Sequence, residues 1–358
     1  MVVRKAWVLG RGTYSVGTTD QPFNPTLGAV VLMREQPKDL DFQSNNEGVQ
    51  IDPAKEVREN RLIREFLTAA SLANLATVHE VDDTGKWHAR GDATEIAIQV
   101  FASRFDWNRL PLSTGSDARW KQLAEFPFDS DIKKMSVIFK NVESGISHVF
   151  TKGAVEKVMD ACSSVAVKHD GYGEYEDVVA MSSNLRTQIL ENMETLARQG
   201  LRVLALASRE GVREVGEHQD IDRAEFEDGM VFLGLIGLYD PPRPESAPSV
   251  RKCHEAGISV HMLTGDHPET ARAIAREVGI LPTRVDEVGI DVAKAMIMTA
   301  SEFDKMSDDQ IDDLPILPLV VARCAPQTKV RMIEALHRRG RFCAMASLVL
   351  YMLDKGHG

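Results

Sequence analysis

The stretch that decides the fold runs from Gly257 to Ile280 and reads GISVHMLTGDHPETARAIAREVGI. Residues 258–263 form a short, β-branched apolar run that is typical of a buried parallel strand. The turn TGD at 264–266 follows, and a helix is predicted from Pro268, with Asp266 as its cap and the next glutamate completing a capping box. A strand, a glycine turn and a helix N-terminus together present backbone N–H groups to a phosphate. Taken alone, the stretch is better explained as a capped connection between a strand and a helix.

The alternation of strand and helix continues around this stretch. Helices are predicted at 245–256, 268–278 and 326–339, and further strands at 317–322 and 341–345. Such alternation is typical of an α/β fold with a doubly wound parallel sheet. The sequence DPPRP at 240–244 precedes it and is predicted to be a stiff linker, because proline fixes φ and biases the residue before it toward extended geometry.

The part of the chain before this linker has an α+β pattern. Residues 18–52 are predicted to be a long loop, and one helix is predicted to run from Pro53 through Ala73. A second helix is predicted from Gly91 to about Phe105, with Asp92 and Glu95 as a capping box. The remaining predicted elements are a hairpin at 78–89, strands at 120–128, 134–139, 148–151, 201–208 and 230–239, and helices starting at Lys152 and Ser182. Short, turn-like links between the strands at 120–128, 134–139 and 148–151 favour antiparallel pairing of these three strands.

Composition restricts the classes of function. A chain of 358 residues with 43% hydrophobic and 27% charged residues is typical of a globular protein of about two domains. The formal net charge of -11 argues against nucleic acid or an anionic membrane surface as the main partner. The longest apolar runs, 230–239 and 345–353, reach about half of the ~20 residues that a membrane helix needs. The four cysteines are widely spaced and predict neither a zinc site nor a disulfide framework: they are Cys162, Cys253, Cys324 and Cys343.

Several short motifs follow one another in a fixed order. They are GDATE at 91–95, Phe128 with Lys133 and Met135, KGA at 152–154, LRVLA at 201–205, DPPR at 240–243, TGD at 264–266, and Arg323 with Lys329. This ordered set covers roughly the first 345 residues and resembles the cytoplasmic signatures of P-type cation-transporting ATPases. The phrases GRGTYSV at 10–16, YDPPRPE at 239–245 and HMLTGDHP at 261–268 resemble the fungal-type sodium or potassium efflux branch, with calcium pumps as the second choice.

The resemblance implies a fold with two parts. Residues 1–235 would form a nucleotide-binding domain, an antiparallel sheet with flanking helices. Residues 236–345 would form part of a phosphorylation domain, a truncated haloacid-dehalogenase-like doubly wound parallel sheet into which the first domain is inserted. Residues 346–358 depart from the family pattern and are expected to be an aberrant tail. The sheet of the second part is then expected to expose unpaired strand edges.

The resemblance also implies an ATP site. On its adenine side, Phe128 would stack on the base, Glu95 would hydrogen-bond the base edge, and Lys152 would line the pocket. Gly153 would allow the nucleotide to approach the backbone closely, because it has no side chain. Lys133 is also expected to bind the nucleotide. Taken singly, Phe128 would be a core residue, and Lys133 and Lys152 would be solvated surface lysines.

On the phosphate and ribose side, the resemblance implies Arg202 and Arg323 as binding residues and, as catalytic residues, Thr264, Gly265, Asp266 and Lys329. Asp240 is also expected to bind the nucleotide. Arg202 would reach the β-phosphate with a forked cationic donor. Thr264 and Gly265 would hold the γ-phosphate, and Asp266 would order the network around them. Arg323 would contact the ribose, and Lys329 would neutralise charge on the phosphoryl group in transfer. Taken singly, Arg202 would pair with a carboxylate of the protein.

Two family motifs are not found in this sequence. The phosphorylated aspartate of the family lies in DKTGT, which would precede Met1, and the family's TGDGVND, whose acidic residues help to bind Mg²⁺, is replaced after Met345 by ASLVLYML. No metal ligand is therefore predicted here, and we expect that this chain alone neither autophosphorylates nor pumps. The membrane helices of the family are expected in a full-length pump in the plasma membrane, whereas this fragment by itself is expected to be soluble and cytoplasmic.

Two other classes of function stay open at this stage. A free-standing phosphatase of the haloacid-dehalogenase class would need a nucleophilic aspartate directly after an apolar strand, and Asp20 lies in a predicted loop instead. A non-catalytic nucleotide-binding or regulatory protein would need only the binding residues. The sequence does not reveal a transported ion, because ion selectivity resides in membrane helices.

Overall fold

A computed structural model describes residues 1–17, 19, 21–34, 48–81, 85–168, 176–213, 222–282, 292, 295–346 and 350–355. The chain forms two compact units. The first unit comprises residues 1–193 and 203–239, and the second comprises residues 194–202 and 240–358. The chain therefore passes into the second unit at Asp240, the first residue of the predicted linker, and a short segment of the predicted first domain, 194–202, groups with the second unit.

The first unit is built on a large, mainly antiparallel sheet. Its strands in chain order are β1 Val2–Val8, β2 Gly12–Val16, β3 Val30–Met33, β4 Val49–Gln50, β7 Trp120–Asp129, β8 Lys134–Asn141, β9 Ser147–Ala154, β10 Cys162–Lys168, β11 Glu176–Ala180, β12 Arg202–Glu210 and β13 Met230–Tyr239. Along the sheet the order is β4-β3-β2-β1-β13-β12-β9-β8-β7, with β10 paired to β11 and, in parallel, to β13. The predicted antiparallel sheet is thus confirmed.

A separate hairpin and seven short to medium helices complete the described part of this unit. The hairpin consists of β5 Thr77–Val81 and β6 Lys86–Arg90, and the predicted turn at 82–84 lies outside the described residues. The helices are α1 Pro53–Glu59, α2 Arg61–Leu72, α3 Ala93–Ser103, α4 Arg109–Ser113, α5 Val155–Asp160, α6 Ser183–Arg198 and α7 Arg223–Phe226, the last turn of α6 belonging to the second unit. Helix α2 forms the centre of the core, and its Ile63, Phe66 and Leu67 are fully buried.

Three local predictions for this unit are wrong. The predicted loop at 18–52 contains β3 and β4, because the run VVLM at 30–33 pairs with β2 and buries alternate residues. The single helix predicted from Pro53 breaks at Asn60, which is extended (φ -129°, ψ 112°) and whose side chain caps α2 at the Ile63 N–H. The KGA motif does not open a helix, since β9 continues through Ala154 and α5 begins one residue later.

The second unit contains a five-stranded sheet within its described residues. Its strands are β14 Ile258–Leu263, β15 Ile297–Thr299, β16 Val320–Ala322, β17 Phe342–Ala346 and β18 Leu350–Lys355, and its helices are α8 Ser246–Glu255, α9 Pro268–Glu277, α10 Ala300–Phe303, α11 Asp308–Asp312 and α12 Pro326–Arg338. The order is β15-β16-β14-β18-β17. Strand β16 runs parallel to both β14 and β15, as the alternation of elements predicts.

The prediction of a purely parallel sheet fails at β18. This strand lies between β14 and β17 and is antiparallel to both. Only residues 347–349 separate β17 from β18, and a parallel neighbour would require a crossover of a dozen or more residues. Residues 350–355 of the predicted tail therefore form a strand inside the sheet. They pair with β14, where the sequence predicts an unpaired strand edge.

Alternate residues of β14 divide the apolar core of the second unit into two clusters. Val260 and Met262 pack in one cluster with Ala271 and Ala275 of α9. Leu263 packs in the other cluster, whose members include Phe303, Met332 and Leu336 from α10 and α12. Helices thus cover both faces of the sheet. The turns that follow the carboxyl ends of its strands are not covered by these helices. Within the described residues, no helix is long and apolar enough to cross a membrane.

Gly234 provides a test of the packing between β13 and the rest of the first unit. Its φ is +156°, and a Cβ at this position would overlap the Trp7 carbonyl and lie 3.0 Å from the Phe66 ring. We expect Gly234→Ala to lower the free energy of unfolding by about 2–3 kcal/mol through overpacking and backbone strain, measured by urea denaturation.

The control is Gly145→Ala. Gly145 also has a positive φ, +71°, but a Cβ there would meet nothing within 4 Å. Its cost should be limited to backbone strain of about 1 kcal/mol. Equal costs at the two positions would contradict the close approach of β13 to Trp7 and Phe66.

Candidate nucleotide-binding site

The centre of the candidate site is an ion pair between Lys152 and Glu95. Lys152 lies near the end of β9 and is only 6% exposed, and its Nζ lies 2.6 Å from Oε1 of Glu95, at the start of α3. The second carboxylate oxygen of Glu95 accepts a hydrogen bond from the backbone N–H of Leu75 at 3.1 Å. Lys152 is therefore not a solvated surface lysine. Glu95 does not complete a capping box either, because its carboxylate binds Lys152 and Leu75 while Asp92 alone caps α3 at Thr94.

Burial sets the electrostatics around this pair. Desolvation lowers the pKa of Lys152 below its ordinary value, against the opposing effect of the Glu95 charge. The guanidinium of Arg109 is half-buried close by, and burial lowers its pKa while Glu125 and Glu95 oppose the change. Positive and negative side chains therefore share one partly desolvated region, where hydrogen bonds to charge are stronger than in water. Arg109 and Glu125 were not predicted from the sequence, because neither belongs to a recognisable motif.

The hairpin between β7 and β8 carries Phe128 and Lys133. The Phe128 side chain is 64% exposed, so the prediction for an isolated phenylalanine, burial in the core, is wrong. The register of β7 and β8 shifts between Phe126 and Asp129, which marks a β-bulge. Lys133 is exposed and adopts a left-handed backbone conformation with φ +55°, which is uncommon for a residue other than glycine. The two candidate residues thus lie on an irregular hairpin whose backbone geometry is unusual at the end of β7 and in the turn before β8.

Gly153 brings this hairpin against the centre of the site. A Cβ on Gly153 would lie 2.5 Å from the carbonyl oxygen of Lys133 and 2.6 Å from the Cβ of Lys134. The sequence predicts that a nucleotide approaches the backbone of Gly153 closely. In the structure it is the backbone of Lys133 and Lys134 that lies against this glycine. Lys134 is paired with both Gly153 and Asp129, the residue after Phe128. Since neighbouring strands lie about 4.8 Å apart, the backbone near Phe128 is roughly 10 Å from that of Gly153.

A second group of candidate residues lies in the second unit, at the carboxyl end of β14. The hydroxyl of Thr264 donates to Oδ2 of Asp266 at 2.7 Å and accepts from the Asp266 backbone N–H at 3.2 Å. Arg202 forms an ion pair with the same carboxylate, with Nε 3.8 Å from Oδ1. Asp266 does not cap α9, because the N-cap is His267, whose Nδ1 accepts from the Glu269 N–H at 3.3 Å. Asp266 instead organises the turn.

Arg323 and Lys329 lie beyond the neighbouring strand β16. Arg323 has a left-handed backbone (φ +59°), and its N–H donates to the carbonyl of Asp266 at 3.1 Å. The next N–H, that of Cys324, donates to the carbonyl of Thr264 at 2.9 Å. Burial raises the pKa of the Cys324 thiol to about 11, and the nearby positive charge of Lys329 opposes this rise. The carboxyl ends of two adjacent parallel strands thus bring these residues together, as expected at the edge where α/β sheets bind ligands.

Two further expectations concern Asp240 and a metal. Asp240 is exposed and follows directly after β13, at the boundary of the two units. The described part of the chain offers no group of three or more His, Cys, Asp or Glu side chains that could hold a metal ion.

The large antiparallel sheet with its flanking helices fits a P-type ATPase nucleotide-binding domain, and comparison with known proteins identifies the class. A protein-family model described as "P-type ATPase, cytoplasmic domain N" matches residues 62–245. The chain belongs to this family. The matched region includes Glu95, Phe128 and Lys152 and ends just after the DPPRP sequence.

Curated relatives refine the comparison. Sodium/potassium exporting P-type ATPase 2 of Saccharomyces cerevisiae is 40% identical over 385 residues, which cover 96% of this chain and 34% of the relative. A sodium/potassium exporting P-type ATPase of Schizosaccharomyces pombe is 42% identical and covers 96% of this chain and 31% of the relative. A cation-transporting ATPase of Synechocystis is 34% identical over 79% of this chain. The chain spans about a third of the length of the sodium/potassium exporting relatives that it matches.

The pairing of Lys152 with Glu95 can be tested by removing the charges one at a time. Lys152→Met and Glu95→Gln should each destabilise the first unit by about 3–5 kcal/mol, because each leaves one buried charge without its partner. The double variant should recover most of this loss. Urea denaturation of the four proteins measures both effects.

The matched control is Lys55→Met. Lys55 and Glu59 form an exposed pair 3.9 Å apart, with 63% and 65% of their side chains exposed. Its removal should change the free energy of unfolding by less than about 0.5 kcal/mol. Additive losses in the Lys152→Met, Glu95→Gln double variant would show that the two charges do not stabilise each other.

Proposed function

We propose that the first unit binds an adenine nucleotide, with the base stacked on the Phe128 ring. The observation that supports this most is an exposed aromatic ring on a hairpin that adjoins a buried pair of opposite charges. A purine has two apolar faces and a polar edge, so a binding site for it needs an apolar surface for stacking and polar groups that hydrogen-bond the edge. Base–aromatic stacking contributes roughly 1–3 kcal/mol per base in comparable sites.

The charged residues would recognise the edge of the base. The exocyclic amine of adenine is a hydrogen-bond donor and its ring nitrogens are acceptors. Glu95 can accept from the amine, and Lys152 can donate to a ring nitrogen, because a carboxylate and an ammonium have these complementary roles. Their mutual ion pair and the Leu75 N–H hold both groups in place before a ligand arrives. Lys133, on the turn beside Phe128, would add positive charge near the phosphates.

We propose that the second unit, considered by itself, binds phosphate at the TGD turn. Thr264 and Gly265 offer a hydroxyl and a backbone N–H, while Arg202, Arg323 and Lys329 offer positive charge. Asp266 orients the Thr264 hydroxyl and Arg202 through the contacts described above. Helix N-termini with nearby cations are favourable places for phosphate, and the turn directly precedes α9. Asp240 would also bind the nucleotide, and its place in the DPPR motif is the support for this role.

The names of the relatives support a role in cation transport. We infer that the complete protein is an ATP-driven pump that exports a monovalent cation, sodium or potassium, across a membrane. The present chain would be the cytoplasmic part of that pump that handles the nucleotide. Its Mg²⁺ and phosphorylated aspartate would belong to parts of the family pattern that are not found in this sequence.

Calorimetric titration with ATP tests the adenine site. Phe128→Ala and Lys152→Ala should each weaken binding about tenfold or more, because they remove the stacking surface and a hydrogen-bond donor. The control is Phe23→Ala, which removes an exposed phenylalanine of the same unit, 43% exposed, that belongs to no motif. The proposal is wrong if all four proteins bind ATP with the same affinity.

Incubation with γ-labelled ATP and Mg²⁺ tests whether these 358 residues can carry out phosphoryl transfer. The sequence contains no DKTGT motif, so no aspartyl phosphate should form. The same preparation should bind ATP in the titration above, which shows that it is folded. An acid-stable, hydroxylamine-sensitive label on the protein would contradict this expectation.

A further inference from the structure

A cluster of buried charges lies on the face of the β7–β8 hairpin opposite to Lys152 and is not part of any motif. Glu227, directly after the short helix α7, is almost fully buried, with 4% of its side chain exposed. Its carboxylate accepts hydrogen bonds from Arg223 Nε at 2.7 Å and from the Ser136 hydroxyl, and it pairs with Lys134 Nζ at 2.8 Å. A buried carboxylate with this many partners is a rigid anchor, because loss of any donor leaves a desolvated charge less satisfied.

Arg223 connects this anchor to the backbone of both strands of the hairpin. Its Nη1 donates to the carbonyl oxygen of Pro127 at 3.3 Å, and its Nη2 donates to the carbonyl oxygen of Lys134 at 2.7 Å. Its guanidinium also lies over the Phe126 ring, 5.8 Å from the ring centroid. Only the planar fork of an arginine can direct three N–H groups to three such acceptors at once.

The two carbonyl groups that Arg223 contacts flank the irregular part of the hairpin. Pro127 directly precedes Phe128, and Lys134 directly follows Lys133. Pro127 cannot donate to a strand ladder, and the bulge between Phe126 and Asp129 interrupts that ladder. The ordinary pairing of β7 and β8 is thus weakest at the residues that lead into Phe128.

The Phe128 side chain itself is too exposed to fix its own position. With 64% of its surface open, its place is set by the backbone of the bulge. We infer that Arg223 and Glu227 form a clamp that positions Phe128 for stacking on the base, so that Arg223 is a positioning residue for nucleotide binding. This inference rests on the proposed function, since it names what holds the ring that the base would contact.

A double-mutant cycle on the complete chain tests the clamp. ATP affinity is measured for the wild type, Phe128→Ala, Arg223→Lys, Arg223→Gln and the two combinations with Phe128→Ala. Each Arg223 variant should weaken ATP binding about fivefold while Phe128 is present, and less than about twofold when it is absent. Arg223→Lys keeps a positive charge beside Glu227, so it guards against loss of the fold in Arg223→Gln.

Arg104→Gln is the matched control for a general loss of stability. Arg104 also bonds backbone carbonyl groups of the first unit, those of Pro25, Leu27 and Gly28, but it does not contact the hairpin. It should lower the melting temperature about as much as Arg223→Gln does and leave ATP affinity unchanged. Hydrogen exchange should become faster at residues 126–134 in the Arg223 variants and remain as in the wild type across β1 and β13.

The outcomes separate the clamp from the nucleotide site. Equal losses with and without Phe128, a similar loss in Arg104→Gln, or faster exchange throughout the first unit would overturn the clamp while the nucleotide site stands. Wild-type affinity in Phe128→Ala, or no binding of ATP by the wild type, would overturn the proposed function and the clamp together.

Discussion

The ion pair between Lys152 and Glu95 is the interaction on which the first unit depends. It joins β9, the strand on which the β7–β8 hairpin is built, to the start of α3, a helix that packs against the central core helix α2. A charged pair is a costly way to connect a sheet to a helix, because both groups lose water when they are buried. The function proposed above accounts for a charged pair at this place, because both charges would also bind the polar edge of a ligand.

The sequence predicts those parts of the structure that depend on neighbours along the chain. The strand at 258–263, the TGD turn and the helix after it are found where they are expected, because apolar periodicity, a glycine turn and a proline at a helix start are local signals. The antiparallel pairing of β7 with β8 and of β8 with β9 follows from the short links between these strands. The match to the P-type ATPase family confirms the class to which the ordered motifs point.

Predictions fail where a distant partner decides the structure. Glu95 has the spacing of a capping box, but its carboxylate is bound by Lys152, which lies in a strand far along the sequence. Asp266 has the spacing of a helix cap, but Thr264 and Arg202 bind it and His267 takes that role. Arg223 and Glu227 have the spacing of a helical i, i+4 pair, but the bonds of Arg223 to the β7–β8 hairpin have no signal in the sequence, because their acceptors are backbone carbonyl groups of a distant element. Capping patterns are thus reliable for placing a helix and less so for assigning the side chain that caps it.

The pairing of β1 with β13 has a consequence for how the first unit is made. Val2 lies opposite Tyr239, so the chain enters and leaves this unit through adjacent antiparallel strands. A unit with neighbouring ends can be inserted into a loop of another domain without distorting its host. Pairing of such distant segments also gives a high contact order, which slows folding. On a ribosome, β1 can pair with β2 early, but its other edge would stay unpaired until β13 has been synthesised.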